Sequence, residues 1–421
     1  MKTHILRALS EKSFFNLWIG EVFTQVSVNL FNFFLILVVF KQTHSNTAVS
    51  GAVISFTIPA ILFGSIAGVL VDRWSKRKVL IVTNIVRAFL FILLAFYLNN
   101  LFVIYLISFV VAILTQFFIP AESPIIPLVV RSNNLLSANA LFGMGIFGSV
   151  LIAYVMSGPL ILLVGQFNAL LVLAVLLFIG ALFIYFVKLT YEKKEKAPNA
   201  LENKLNIIRD IKHTILLIFH KKEISYALLL IALSQIIILV LATIAPGYAN
   251  QVLGINVEEF PLLIVAPAAL GMVVGAVMVV NLFHNHPKRR VITIGIVLSG
   301  LAMLSLPFGS KVTSRDFVQV INGYLPHFFE ITILHIMAVV AFVLGVANSL
   351  VFVPANTAIQ EMVDGKFRGK IYGVLNTISG AVSILPILLV GGLSDLIGVA
   401  NVIIGIGICI LLLGFVRIFL K

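Results

Sequence analysis

Charge is scarce in this sequence. Asp, Glu, Lys and Arg make up 11% of its 421 residues, where a soluble domain carries about a quarter. So little charge cannot clothe a folded surface of this size in water, which excludes an ordinary soluble domain. Cysteine is nearly absent: Cys409 alone excludes both a disulfide framework and a cysteine-ligated metal site. No glycine loop followed by Lys and Ser/Thr is found to cradle a nucleotide, and there is no HExxH and no convincing catalytic triad. Those gaps argue against ATP-driven chemistry and against an enzyme, and no cofactor is expected. The basic start Lys2, Arg7 and Lys12 leads into a long apolar run that lacks a small-residue cleavage site. That run is read as a first span and not as a removed leader.

What is abundant is apolar surface, 61% of the chain. Lipid is the solvent such a chain suits, since about 20 apolar residues in a helix cross the hydrocarbon core. Apolar runs fall at 14–41, 48–71, 79–98, 101–121, 142–165 and 168–188, then at 224–250, 260–283, 291–308, 329–354, 370–392 and 399–420. The expected fold class is all-α integral membrane, with twelve transmembrane helices as two six-helix pseudo-repeats. The expected division is 1–188, a linker 189–223, and 224–421. Within the linker, Leu205, Ile208, Ile211 and Ile215 at helical spacing predict an amphipathic helix along the membrane surface.

Net charge is +13, which taken alone would suggest nucleic acid. Its placement argues otherwise. With the N-terminus inside, 25 of the 29 Lys and Arg residues lie in the start, the even-numbered inter-span segments and the end. Only Lys41, Lys311 and Arg315 lie on the other side, and Arg87 is within a span. Cytoplasmic loops hold such an excess, so both termini are expected in the cytoplasm and no nucleic-acid partner is expected.

A faint repeat links the halves. Phe118-Ile119-Pro120-Ala121 realigns with Phe352-Val353-Pro354-Ala355 at an offset of 234, and Ile125 and Val129 realign with Ile359 and Val363. Paired six-helix halves are what a rocking carrier with a midplane substrate site needs.

The most informative string runs from Gly64 through Gly68 and Asp72 to Arg73, Lys76, Arg77 and Lys78. Gly64 and Gly68 form a small-xxx-small pair that lets another helix approach closely. Asp72 then falls at the membrane edge beside four positive charges, where a carboxylate can hold one conformation through charge-assisted bonds. This string resembles the signature loop of the major facilitator superfamily, with Gly68, Asp72, Arg77 and Lys78 matching and Ser75 where glycine is usual. The second half carries Gly271 and Gly275, then Lys288-Arg289-Arg290, with no acid at the position of Asp72.

Further stretches resemble the drug-efflux branch of that superfamily, which includes macrolide exporters and the enterobactin exporter. They are Pro120 to Val129, Leu136 to Leu141, Ile208 to Lys222, Pro354 to Gln360 and Arg368 to Gly373. Glu122 stands where the branch often has Arg, and Ser27-Val28 replaces its Gly-Asp in span 1. Its span 5 antiporter signature is partial: Gly145, Gly158 and Pro159 match, while Tyr154 and Leu162-Leu163 depart. The resemblance implies a secondary transporter that works as a single chain by alternating access.

Ionisable groups inside a span are costly and face a cavity or a partner. Glu21 and Arg87 lie at matching depths of roughly 12–14 Å in spans 1 and 3 at 1.5 Å per residue. They form either a fixed pair or, with Glu122, a proton-coupling group. Glu21, Gln25, Asn29 and Asn32 fall within about 80° on a helix, a stripe facing water or substrate. In the superfamily, spans 1, 4, 7 and 10 line the cavity, so Gln116, Gln235 and Asn348 join the candidates, with plain interhelical hydrogen bonding as their alternative role. The leading expectation is proton-coupled export of a small amphipathic compound, drug- or siderophore-like, across a bacterial cell membrane. The alternatives are a lysophospholipid or nutrient carrier of the same superfamily, or a membrane sensor or enzyme that does not transport.

Overall fold

The structure is a computed structural model that describes residues 8–131, 134–189, 222–283, 286–309, 318–319, 322–323, 331–362 and 365–419. The amphipathic helix expected in the linker lies outside the described residues. Among the described residues are twelve apolar helices: α1 (Lys12–Thr43), α2 (Asn46–Arg73), α3 (Lys76–Phe96), α4 (Leu101–Glu122), α5 (135–164), α6 (166–185), α7 (Lys222–Gly247), α8 (Ala266–Asn281), α9 (Lys288–Ser305), α10 (Ile333–Met362), α11 (Gly365–Ile397) and α12 (Val399–Phe419). Among the described residues there is no strand. The 21 residues of α3, for example, reach roughly 30 Å at 1.5 Å per residue, enough to cross the hydrocarbon core. Helices satisfy every backbone group within themselves, which is the condition for crossing lipid. Large apolar side chains such as Phe102, Leu163 and Leu396 are exposed, as a lipid-facing surface requires.

Two of the shortest connections rest on glycine. α5 and α6 form one continuous helical run, Leu135–Tyr185, broken only at Gly165 with φ +78°. α11 and α12 are separated by Gly398 alone, with φ +88°. A side chain at either position is strained, and only glycine takes that conformation freely. The two turns are 233 residues apart, within one residue of the repeat offset in the sequence. Burial repeats as well: Ala121 and Ile125 are fully buried in the first half, as Ala355 and Ile359 are in the second.

By packing, the chain forms two compact units, Met1–Val38 with Ala52–Asp210, and Val39–Gly51 with Ile211–Lys421. The first is cored by Phe14, Leu17, Leu80, Phe118 and Ile125. The second is cored by Ile224, Leu228, Ile231, Ile292, Ala355 and Ile359. The turn between α1 and α2 belongs to the second unit.

Candidate functional site

Three ionisable side chains come together inside the first unit. Glu21 on α1, Arg87 on α3 and Glu122 at the end of α4 are 1%, 1% and 4% exposed. After Glu122 the chain continues as helical turns at Ser123–Ile125 and Ile126–Val129. Glu21 and Glu122 are near enough for each carboxyl to act on the other. Arg87 is near enough for its charge to act on both. Its guanidinium lies 4.7 Å from the centroid of the Phe118 ring, a cation–π arrangement.

Among the described residues no ion pair within contact distance involves Arg87; the two that form are Lys41–Glu258 and Lys288–Glu361. Arg87 Nε and Nη2 and Glu21 Oε2 are buried without hydrogen-bond partners. The site is thus a loose group of two acids and one base, unlike a closed Glu21–Arg87 pair.

A polar ladder runs from this group along α1. Gln25 Nε2 donates to Glu21 Oε1 at 2.6 Å, and Asn29 Nδ2 donates to the Gln25 carbonyl at 2.8 Å. Gln25, Asn29 and Asn32 are half-buried. Behind them, Asn84 Nδ2 donates to Thr24 Oγ1 at 2.7 Å, and Thr24 Oγ1 donates to the Gly20 carbonyl at 2.8 Å. Asn84 escaped notice in the sequence, although it stands three residues before Arg87 on one helix face. Gln116 on α4 is half-buried, its Oε1 3.6 Å from where a Cβ on Gly64 would stand. In the second unit, Asn348 Nδ2 on α10 donates to Ser234 Oγ on α7 at 2.9 Å. Gln235 beside it is half-buried.

At the signature loop, α2 carries Gly64, Gly68, Asp72 and Arg73, and α3 opens at Lys76 with Arg77 and Lys78 in its first turn. Arg77 donates to the carbonyl of Tyr185 and lies 5.4 Å over its ring. Trp74 stacks on Phe117 at 5.9 Å. The Asp72 and Arg73 side chains lie outside those described, and so do the charge-assisted bonds expected of Asp72. In α5, a Cβ at Gly145 would stand 2.8 Å from Trp18 Nε1; Trp18 donates to the Leu141 carbonyl at 2.8 Å. Gly158 is buried and Pro159 lies within the helix. Gly271 and Gly275 serve as a crossing with α10. A Cβ at Gly271 would overlap the Phe342 carbonyl, and one at Gly275 would come within 2.8 Å of Val346.

One cluster was missed by reading the sequence, where Asp395 looks like a turn residue. It instead accepts five hydrogen bonds from Ser45, Asn46 and Thr47, capping the first turn of α2. Nearby, Lys41 pairs with Glu258 at 2.5 Å. The signal was a Ser-Asn-Thr helix start with no acid of its own.

The model of the major facilitator superfamily matches residues 17–384. Macrolide efflux protein A of Streptococcus pyogenes is 23% identical over 404 residues, covering 92% of this chain and 90% of that protein. The uncharacterized MFS-type transporter YfiS of Bacillus subtilis (strain 168) is 21% identical over 405 residues, covering 91% and 87%. Among solved structures, the nucleoside transporter NupG superposes with a TM-score of 0.69 at 12% identity, over 96% of this chain and all of that one. A bacterial homologue of the human lysosomal transporter Spinster does so with a TM-score of 0.68 at 13% identity, over 97% and 96%.

Proposed function

We propose that this chain, which belongs to the major facilitator superfamily, is a secondary active exporter of a small amphipathic compound, driven by proton entry. That it is a multi-pass membrane transporter follows from the family and the apolar helices; the direction, the coupling ion and the substrate class are the proposal. The observation that carries it is the buried group Glu21, Glu122 and Arg87. Two carboxyls against one guanidinium balance in charge when one carboxyl holds a proton. Charge left unbalanced in the membrane interior is costly, so loading and unloading that proton biases the helices that carry the group. Glu21 also heads the ladder through Gln25 to Asn29, which gives the proton step a route to the polar face of α1. The efflux protein among its relatives supports the direction of transport.

In this reading both termini and the basic loops face the cytoplasm of a bacterial cell, and one chain is the working unit. The substrate crosses unchanged by alternating access, through states that expose the polar side chains of α1 and of Gln116, Gln235 and Asn348. The test is accumulation of macrolide and other amphipathic compounds in an efflux-deficient bacterium. Expression should lower accumulation, a protonophore should restore it, and Glu21→Gln should remove the protonophore-sensitive part. Unchanged accumulation across a broad compound panel, or undiminished proton-dependent export by Glu21→Gln, would overturn the reading.

A further inference from the structure

Near the end of α12 stands an arginine in an unexpected posture. Arg417 is four residues from the end of the chain. An arginine at a span terminus normally extends its head into water or headgroups. Here it is 8% exposed, folded so that its guanidinium lies 4.9 Å over the ring of Tyr226 on α7. Its Nε and Nη1 are buried with no hydrogen-bond partner. Besides Tyr226, a second cation is near enough for its charge to act on it, Arg289 in the first turn of α9.

The packing that imposes this is tight. A Cβ on Gly300 would come within 2.6 Å of Leu411, and one on Gly414 within 2.9 Å of Val297. α12 therefore lies directly against α9, and with the two antiparallel, the end of one sits beside the start of the other. The start of α9 adds backbone N–H groups that have no partner within the helix and the positive end of its dipole.

Arg417 and Arg289 have no anion of their own among the described residues, since Glu361 at this helix start is paired with Lys288. The chemistry that satisfies them is a phosphate, which takes arginine N–H donors in pairs. The setting selects its source. The helix surface leading to the site is apolar and exposed at Leu412, Leu413, Val416 and Leu229, a track for acyl chains, and basic pockets between span ends hold anionic headgroups. We propose that Arg417 and Arg289 bind the phosphate of an anionic phospholipid in the leaflet bordering Lys288–Arg290.

The test uses the full chain purified in a neutral detergent and lipid retention read by native mass spectrometry. Dioleoylphosphatidylglycerol should bind saturably, and dioleoylphosphatidylcholine about tenfold more weakly, as expected for loss of a charge-assisted contact. Arg417→Gln should lower phosphatidylglycerol retention by about tenfold. Arg289→Gln, on an exposed residue that should leave the fold intact, should lower it by about threefold. Inorganic phosphate at the same concentration should not compete. Equal retention of the two lipids, retention unchanged in Arg289→Gln, or displacement by inorganic phosphate alone would each overturn the assignment.

Discussion

Asp395 holds Asn46 twice: one carboxylate oxygen accepts the backbone N–H at 2.8 Å and the side-chain amide at 3.0 Å. The other accepts both groups of Thr47, at 2.9 and 2.7 Å, and the Ser45 hydroxyl at 2.6 Å. A carboxylate supplied from 350 residues away thus performs the capping that a neighbouring side chain usually provides.

Asp395→Ala should cost about 1–2 kcal/mol, the range for a lost helix cap. Hydrogen exchange at the Asn46 and Thr47 amides should quicken, while amides in the middle of α2 stay protected. Exchange unchanged at those two amides would show that the cap carries no weight.

Lys41 and Glu258 should answer to charge reversal. Lys41→Glu and Glu258→Lys should each lower thermal stability, and the double reversal should restore most of it. The coupling expected is at most about 1 kcal/mol, because Lys41 is half-exposed and exposed pairs are weak. It should shrink in 1 M salt.

Arg87→Gln removes the cation that, among the described residues, acts on Glu21 and Glu122. Removing one partner of a buried charge group costs about 3–5 kcal/mol, read as a fall in the folded fraction on detergent-solubilised size exclusion. Adding Glu122→Gln should recover a large part of the loss, since it removes the carboxyl left unbalanced. Absence of recovery would mean that the two side chains act independently.

Gly345→Ala should abolish folding or cost about 3 kcal/mol or more, beyond ordinary overpacking, because the added methyl overlaps the Ala268 carbonyl on the neighbouring helix. Gly148→Ala, with open space around it, is the matched control and should express normally. Thermal melts of the two purified variants check this.

The spans were legible because apolar run length depends on no tertiary contact. Glu21 and Arg87 were legible as a matched pair because depth follows from counting residues. That Glu122 meets Glu21 was not, since it depends on how α1 and α4 are rotated about their axes. Glu122 stood out only as an acid where similar chains carry arginine. The Gly271–Gly275 pair announced a close crossing but not its partner α10, because a gap for a neighbour does not say which neighbour fills it. Asp395 was illegible for the opposite reason: its partners lie far away in sequence and the local setting reads as an ordinary turn. Arg417 passed as one more positive loop charge until burial showed its head turned inward.

The joints at Gly165 and Gly398 have a mechanical side. Each connects its two helices with no spare chain, so a tilt of α5 is handed directly to α6, and a tilt of α11 to α12, as by a crank with no play. Occurring at the same place in both halves, they make each hairpin a single lever. An insertion at either glycine would add slack to one lever and leave its twin stiff.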